Sequence, residues 1–456
     1  MDMATLGHLS PLSPLGAKEE TFLENFFKLI SQFSYEKARD LADKEKDNHK
    51  AAFASSWGLF MYSLTQFATA EKGYMSLAFL EHKGFFTRSK DTLKSVYHSL
   101  ALEFRKVEEN VRNQDQLVHF GLPHPSAEFE QLIAHLCGQL GHFVLARQKS
   151  MEFYEQMSSM GTYKVINYSE LMVAISRIVQ TNSRNFHHPL LSHLKSKFFY
   201  ECEIMSHLLQ AQVLMTELQF LPSLLQLHQA HSKLTSWGAS AHQIKEVKKS
   251  AFGGSSKHNP WPALYNWIVK YKQVLLSKFS LYFYDLLQKQ VHSSEMKTVT
   301  ARLSDDFVSK IVTFQRKSDA THVSLVLDTQ GIHRCKGSGY NFPKKYTEEP
   351  KGLDTFPAIY SYPADRQVQN HWHNIVMLIN NRMSDHHIYD KITCIYDKTA
   401  QSTYFITQVD VRITFVVIFE CKKSEKDTFV NNFMADLRTN LNCARLFTAL
   451  KPGVRG

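Results

Sequence analysis

From Glu19 to about Gln290, apolar residues recur three and four positions apart, the spacing that lines one side of an α-helix. The clearest stripe lies between Ala127 and Met157. There Phe129, Leu132, Ile133, Leu136, Leu140, Phe143 and Val144 share a face, and polar residues fill much of the opposite side. A second stripe runs through Leu191, Leu194, Phe198, Cys202, Met205 and Leu209. Shorter patterns predict helices near 19–43, 47–82 and 88–113, and Gly121-Leu122-Pro123-His124-Pro125 breaks the periodicity before the long helix. Trp237 and Gly238 end the 190–230 region. Phe252-Gly253-Gly254-Ser255-Ser256 reads as a flexible connection, followed by a helix from about Trp261 to Gln290. One amphipathic helix cannot hide its own stripe, so residues 19–290 are expected to form a helical bundle domain.

Beyond about Thr298 the period shortens from 3.6 to 2. A helix near 304–317 leads into a β-branched strand, Thr321–Leu327. The turn Asp328-Thr329-Gln330-Gly331 then predicts a hairpin returning through Ile332–Lys336. Phe356–Tyr362 is extended. Gln367–Arg382 is a helix with Val368, Trp372, Ile375, Val376 and Ile379 on one face and Asp365 placed to cap it. Strands follow near 391–396, 402–408 and 411–420. In the last of these, Val411, Ile413, Phe415, Val417 and Phe419 alternate with mostly uncharged residues, which predicts a central strand. Ser424, with Asp427 three residues on, opens a final helix with the stripe Val430, Phe433, Met434, Leu437 and Leu441. Helix, two strands, helix, three strands, helix is similar to the roadblock/longin (profilin-like) group of small α/β domains. The expected organisation is a disordered tail over 1–18, the helical bundle over 19–290, a linker over 291–303 and the α/β domain over 304–456.

Composition narrows the classes. The tail lacks the charged start and apolar core of a signal peptide, and no apolar run approaches the length of a membrane helix, so the chain is expected to be cytoplasmic. The six cysteines are scattered without a CxxC pair, as suits reduced thiols. The net charge is +10, and the surplus divides evenly about Ala301. Nucleic-acid binders concentrate basic charge on one face or arm, so nucleic acid is not an expected partner.

Chemistry-bearing residues do not converge. His135 and His142 flank Cys137, but positions 135 and 137 project about 200° apart on a helix and cannot face one ion. The same holds for His371 and His373. The pairs His187-His188 and His386-His387 have no partner at ligand spacing. Gly337-Ser338-Gly339, with Lys344 and Lys345 nearby, lacks the rest of any phosphate-binding fingerprint, and Ser338 is not in a nucleophile elbow. Asp305-Asp306 sits where a helix begins and suits capping. Phe279, Tyr282, Phe283 and Tyr284 near Lys278 suit helical core packing. The expected catalytic, cofactor-binding and metal-ligating residues are therefore none, and the chain is not expected to be an enzyme.

A set of short segments carries a family resemblance. They are Phe186-His187-His188-Pro189, Leu221-Pro222-Ser223-Leu224 with His228, Ala230 and His231, then Trp237-Gly238, Phe252-Gly253-Gly254 and Lys278-Phe279-Ser280. Ser294-Glu295-Met296-Lys297-Thr298, Pro350-Lys351-Gly352, Gln401-Ser402-Thr403-Tyr404-Phe405, Lys422-Lys423-Ser424-Glu425 and Leu450-Lys451-Pro452-Gly453 continue it. In this order they resemble the KICSTOR complex subunit 2 family, from about Phe33 to Gly453; the first 20 residues and 107–126 depart from it. The resemblance implies a scaffold subunit working with a very large scaffold protein, kaptin and an integrin-alpha FG-GAP-repeat protein. Together these would hold a GATOR-type GTPase-activating complex on lysosomes and restrain the target-of-rapamycin kinase when nutrients are scarce. It supplies no catalytic residues. A different reading is a direct small-GTPase or nucleotide-binding regulator acting through the C-terminal domain.

Overall fold

The computed structural model describes residues 17–48, 55–81, 92–118, 127–162, 166–242, 261–292, 295, 298, 303, 305–332, 350–364, 368–383 and 391–451. Residues 1–16 of the expected tail, the breaks at 121–125 and 252–256, Asp365, and the loop carrying Ser338, Lys344 and Lys345 lie outside them, as do His386 and His387; Ala17 and Lys18, expected in the tail, are helical. The helices are α1 Ala17–Ser31, α2 Tyr35–Asn48, α3 Ser56–Met75, α4 Leu93–Val118, α5 Ala127–Met160, α6 Tyr168–Asn182, α7 Ser192–Thr216, α8 Phe220–His242, α9 Ala263–Tyr282 and α10 Tyr284–Gln290. Then come α11 Phe307–Ser318, β1 His322–Leu327, β2 Ala358–Tyr362, α12 Gln369–Met383, β3 Thr393–Asp397, β4 Ser402–Asp410, β5 Ile413–Phe419, α13 Thr428–Leu441 and α14 Ala444–Thr448. The chain thus has a long helical stretch before a C-terminal α/β region.

Two compact units are present. One draws on Met1–Glu152, Arg177–Cys202 and Thr235–Leu264, the other on Phe153–Ser176, Glu203–Leu234 and Tyr265–Gly456. The first has an aromatic interior. Phe67 meets Phe143 edge-on at 5.7 Å, and Phe143 meets Phe186 at 5.6 Å and Phe198 at 5.9 Å. Phe143 and Phe198 belong to the stripes predicted for α5 and α7, whose members are buried or half-buried; Phe67 comes from α3 and Phe186 from the segment before α7.

In the second unit, the five strands form an antiparallel sheet in the order β2-β1-β5-β4-β3. β5 is flanked by β1 and β4 and is central, as its two-sided apolar pattern requires. α12 covers one face with Ile375, Val376 and Ile379, which pack with Val326, Tyr404, Ile406, Val416 and Ile418. On the other face Phe433 of α13 stacks on Phe314 of α11 at 4.0 Å and leans on Phe415 of β5 at 6.2 Å.

Several expectations are corrected. The helix predicted over 19–43 is two helices, because the chain turns at Phe33, which adopts φ 59°. The stripe predicted through Leu209 lies in α7, and the chain turns at Leu218, φ 53°, before α8. Trp237 and Gly238 end nothing; they are buried inside α8. The helix predicted to Gln290 breaks at Phe283, between α9 and α10. Helix α6 was not predicted, although Tyr168, Leu171, Ile175, Ile178 and Asn182 make a buried stripe; exposed Val173 blurs it. Val411 belongs to the β4–β5 turn and is 50% exposed. Asp427, not Ser424, is the N-cap of α13, accepting from the amides of Phe429 and Val430. Residues 333–336 of the predicted hairpin lie outside the described residues, and both edges of β1 are taken by β2 and β5.

Candidate functional site

The densest chemistry in the first unit is a buried charge network. α3 supplies Glu71 and Tyr74, α4 Tyr97, α5 Arg147, α7 Lys197 and Glu201, and α2 Tyr35. Arg147 donates to both oxygens of Glu71, from Nε at 3.0 Å and Nη2 at 3.2 Å, and from Nη1 to Glu201 at 2.7 Å. Lys197 donates to Glu71 at 3.3 Å and to the Tyr35 hydroxyl at 2.8 Å. Tyr97 donates to Glu71 at 2.8 Å, and Tyr74 to Glu201 at 2.5 Å. The guanidinium carbon lies 4.3 Å above the centre of the Tyr74 ring.

Glu71, Arg147, Lys197 and Glu201 are all buried, and two carboxylates balance two cations. A buried ion is tolerated only when paired and hydrogen-bonded. Burial pushes the carboxyl of Glu71 up, but Arg147 and Lys197 outweigh it and hold Glu71 below the usual value. Burial lowers the Lys197 ammonium to about 8, against the attraction of Glu71. Tyr35, Tyr74 and Tyr97 are pushed well up by burial and by the carboxylates. Sequence reasoning missed this network, yet its signal is present: Arg147, Lys197 and Glu201 lie on the predicted apolar stripes.

The second unit has a smaller counterpart. Lys278 of α9 makes a buried ion pair with Asp410 at the end of β4 and donates to the Leu441 carbonyl at 2.8 Å. Tyr282 donates to Asp410 at 3.1 Å. Tyr168 reaches the Asn442 carbonyl at 2.6 Å, and the Trp267 indole the Leu446 carbonyl at 2.9 Å. Phe279 stacks on Phe220 at 5.3 Å and Phe283 meets Phe220 edge-on at 5.2 Å, as expected for core packing, and Tyr284 meets Tyr360 edge-on at 5.6 Å.

The residues weighed from the sequence are dispersed. Cys137 is buried and its thiol pushed up by burial, whereas His135 and His142 are exposed. His135 and His142 line a cleft of about 350 Å³ together with Glu108 and Arg112. The fold also brings together rings treated separately from the sequence: His135 lies 5.7 Å from His187 and 5.8 Å from His188. Among the described residues, no group of three or more His, Cys, Asp or Glu side chains is arranged to hold a metal ion. His371 is buried against the Tyr404 hydroxyl at 2.8 Å, and His373 is exposed. Asp306 caps α11, and Asp305 pairs with Lys310 at 2.7 Å. Asp305 and Lys310 share a second cleft, of about 300 Å³, with Lys270 and Arg445.

Both networks consume their charges internally. A family model described as "KICSTOR complex C12orf66 like" matches residues 13–455. The chain is 42% identical over 450 residues to KICSTOR subunit 2 of Xenopus laevis, covering 98% of this chain and 99% of that protein. It is 41% identical over 447 residues to KICSTOR subunit 2 of Danio rerio, covering 96% and 97%. Among the described residues no helix is long and apolar enough to cross a membrane. With the match running almost end to end, through both compact units, the chain belongs to the KICSTOR subunit 2 family.

Proposed function

We propose that this chain is a non-catalytic scaffold subunit of a KICSTOR-like complex. It helps recruit a GATOR-type GTPase-activating complex to lysosomes and so restrains target-of-rapamycin signalling when amino acids or glucose are scarce. The observation that carries this reading is the family match over residues 13–455. Its partners are the large scaffold subunit, kaptin and the integrin-alpha FG-GAP-repeat protein. The chain is cytoplasmic and meets the lysosomal surface through them. The absorption of Arg147, Lys197 and Lys278 by internal carboxylates supports a non-catalytic role, since these cations are not presented to a substrate.

Residues 304–456 act as a roadblock/longin-like (profilin-like) docking domain in this reading. Its support is the five-stranded order β2-β1-β5-β4-β3, with α12 on one face and α11 and α13 on the other. Residues 19–290 form the helical bundle and 291–303 the linker. The test is re-expression in cells lacking the chain. Under amino-acid starvation, re-expression should restore lysosomal enrichment of the GTPase-activating complex and silence the kinase. Restored silencing without that enrichment would contradict the proposal.

A further inference from the structure

An open antiparallel sheet has two edge strands, each with a row of backbone donors and acceptors on its outer side. Here the edges are β2 and β3. β2 is guarded: Pro357 and Pro363 bracket it, its pairing with β1 is irregular at Leu325/Val326, and Tyr284 packs on its Tyr360. Among the described residues β3 has no bracketing proline and no irregular pairing, and what packs on it is the Lys422 ammonium, 5.8 Å from the centre of the Tyr396 ring. Among the described residues it pairs with β4 alone, in unbroken register, and all five of its residues are half-buried.

We infer that β3 is a self-association edge, pairing antiparallel with β3 of a second copy of this chain with Cys394 on the two-fold axis. The register follows from the residues. Cross-strand neighbours on one face stabilise a sheet when charges are opposite or apolar side chains meet, and like charges destabilise it. Centring on Cys394 sets Lys391 opposite Asp397 of the second copy, Ile392 opposite Tyr396 and Thr393 opposite Ile395. Moving the centre by half a residue toward Ile395 sets Lys391 against Lys398. Moving it a full residue sets Ile392 against Lys398. The Cys394 register also keeps the faces aligned. Ile395 pairs with Tyr404, which lies under α12, so Thr393, Ile395 and Asp397 share the α12 face in both copies. Asn374 of α12 reaches Asp397 at 3.0 Å, and Met377, one turn on, is 47% exposed, an apolar contact beside the same edge.

The test uses the purified full-length chain. Its mass in sedimentation should rise from 52.6 kDa toward twice that value with concentration. Lys391→Glu, at an exposed position whose long ion pair with Glu425 at 3.8 Å contributes little to the fold, should move the midpoint about tenfold higher while barely changing the melting temperature. Facing residues in an antiparallel pair lie about 4.5–5.5 Å apart at Cα, within disulfide reach. Copper–phenanthroline should therefore trap a dimer linked through Cys394. Burial, and then the Glu425 carboxylate, push this thiol up to about 11, so added oxidant is needed. The link should vanish in Cys394→Ser and persist in Cys421→Ser. A chain that stays monomeric at every concentration, or a dimer that is not trapped through Cys394, overturns the inference.

Discussion

Arg147 and Glu71 meet side-on in the interior of the first unit, with Nε and Nη2 donating to separate carboxylate oxygens at 3.0 and 3.2 Å and neither side chain exposed. They stand 76 positions apart in the chain, so the contact ties α3 to α5 and, through Glu201, to α7. Because each ion is fully desolvated, its partner cannot be removed without leaving a bare charge.

Arg147→Met should therefore destabilise the protein by about 3–5 kcal/mol, because Glu71 and Glu201 lose their shared cation. Lys149→Met, two residues along the same helix at an exposed pair with Glu152, should change stability by less than about 0.5 kcal/mol. Urea denaturation of both variants checks the contrast, and equal midpoints would place Arg147 outside the interior.

Lys197 gives the network a pH signature. Its folded-state value of about 8 is below the 10.5 of an unfolded lysine, so between these limits the unfolded chain binds more protons. Stability then rises with pH from about 8, on the order of 3 kcal/mol in all. Above about 10, Tyr35, Tyr74 and Tyr97 oppose the rise, because their folded values are raised and the unfolded chain releases their protons first. Glu71 acts at the other end: its lowered value means stability is lost as pH falls below about 4.5. Denaturation series at stepped pH should show the rise between 8 and 10 in the parent chain and its absence in Lys197→Met.

Phe415→Asp places a carboxylate between Leu325 and Thr407 in the central strand, beneath Phe433, and should cost about 4 kcal/mol or more. Val411→Asp, only four residues away but in the exposed turn, should be nearly neutral. Thermal melting separates the two, and equal losses would mean that the strand register is wrong.

Two glycines should respond oppositely to alanine. A Cβ on Gly161 would stand 2.7 Å from the Thr448 amide nitrogen and 2.9 Å from the Ala444 carbonyl oxygen, backbone that must move. Gly161→Ala should cost about 1–3 kcal/mol. At Gly138 the added carbon meets only the flexible Glu108 carboxylate, at 3.3 Å, and alanine favours the helix by up to about 1 kcal/mol. Gly138→Ala should be neutral or stabilising in the same denaturation assay.

The amphipathic stripes of α5 and α7, the alternation of β5 and the apolar face of α12 were legible in the sequence because burial imposes a period, and the period survives in one chain. The breaks at Phe33 and Leu218 were not, since a left-handed turn at a bulky apolar residue has no composition signal like that of glycine or proline. The Glu71–Arg147–Glu201–Lys197 network was half legible. Charged residues on an apolar stripe announce a buried ion, but which ions meet depends on how the helices pack. The His135, His187 and His188 cluster depends in the same way on a loop returning beside α5.

If the chain works by assembly, removing single polar groups that do not hold the fold should leave signalling intact. Asp305→Ala, His187→Ala and Ser338→Ala should each still silence the target-of-rapamycin kinase in starved cells. Loss of silencing in one of them, with stability and partner binding unchanged, would point to chemistry at that residue.

The most direct test of the scaffold reading is native affinity purification of the tagged full-length chain from cells, with the co-purifying proteins quantified by mass spectrometry. The account predicts near-stoichiometric recovery of the large scaffold subunit, kaptin and the integrin-alpha FG-GAP-repeat protein, with the GTPase-activating complex present in the same eluate. A folded, soluble chain recovered without these proteins would contradict it.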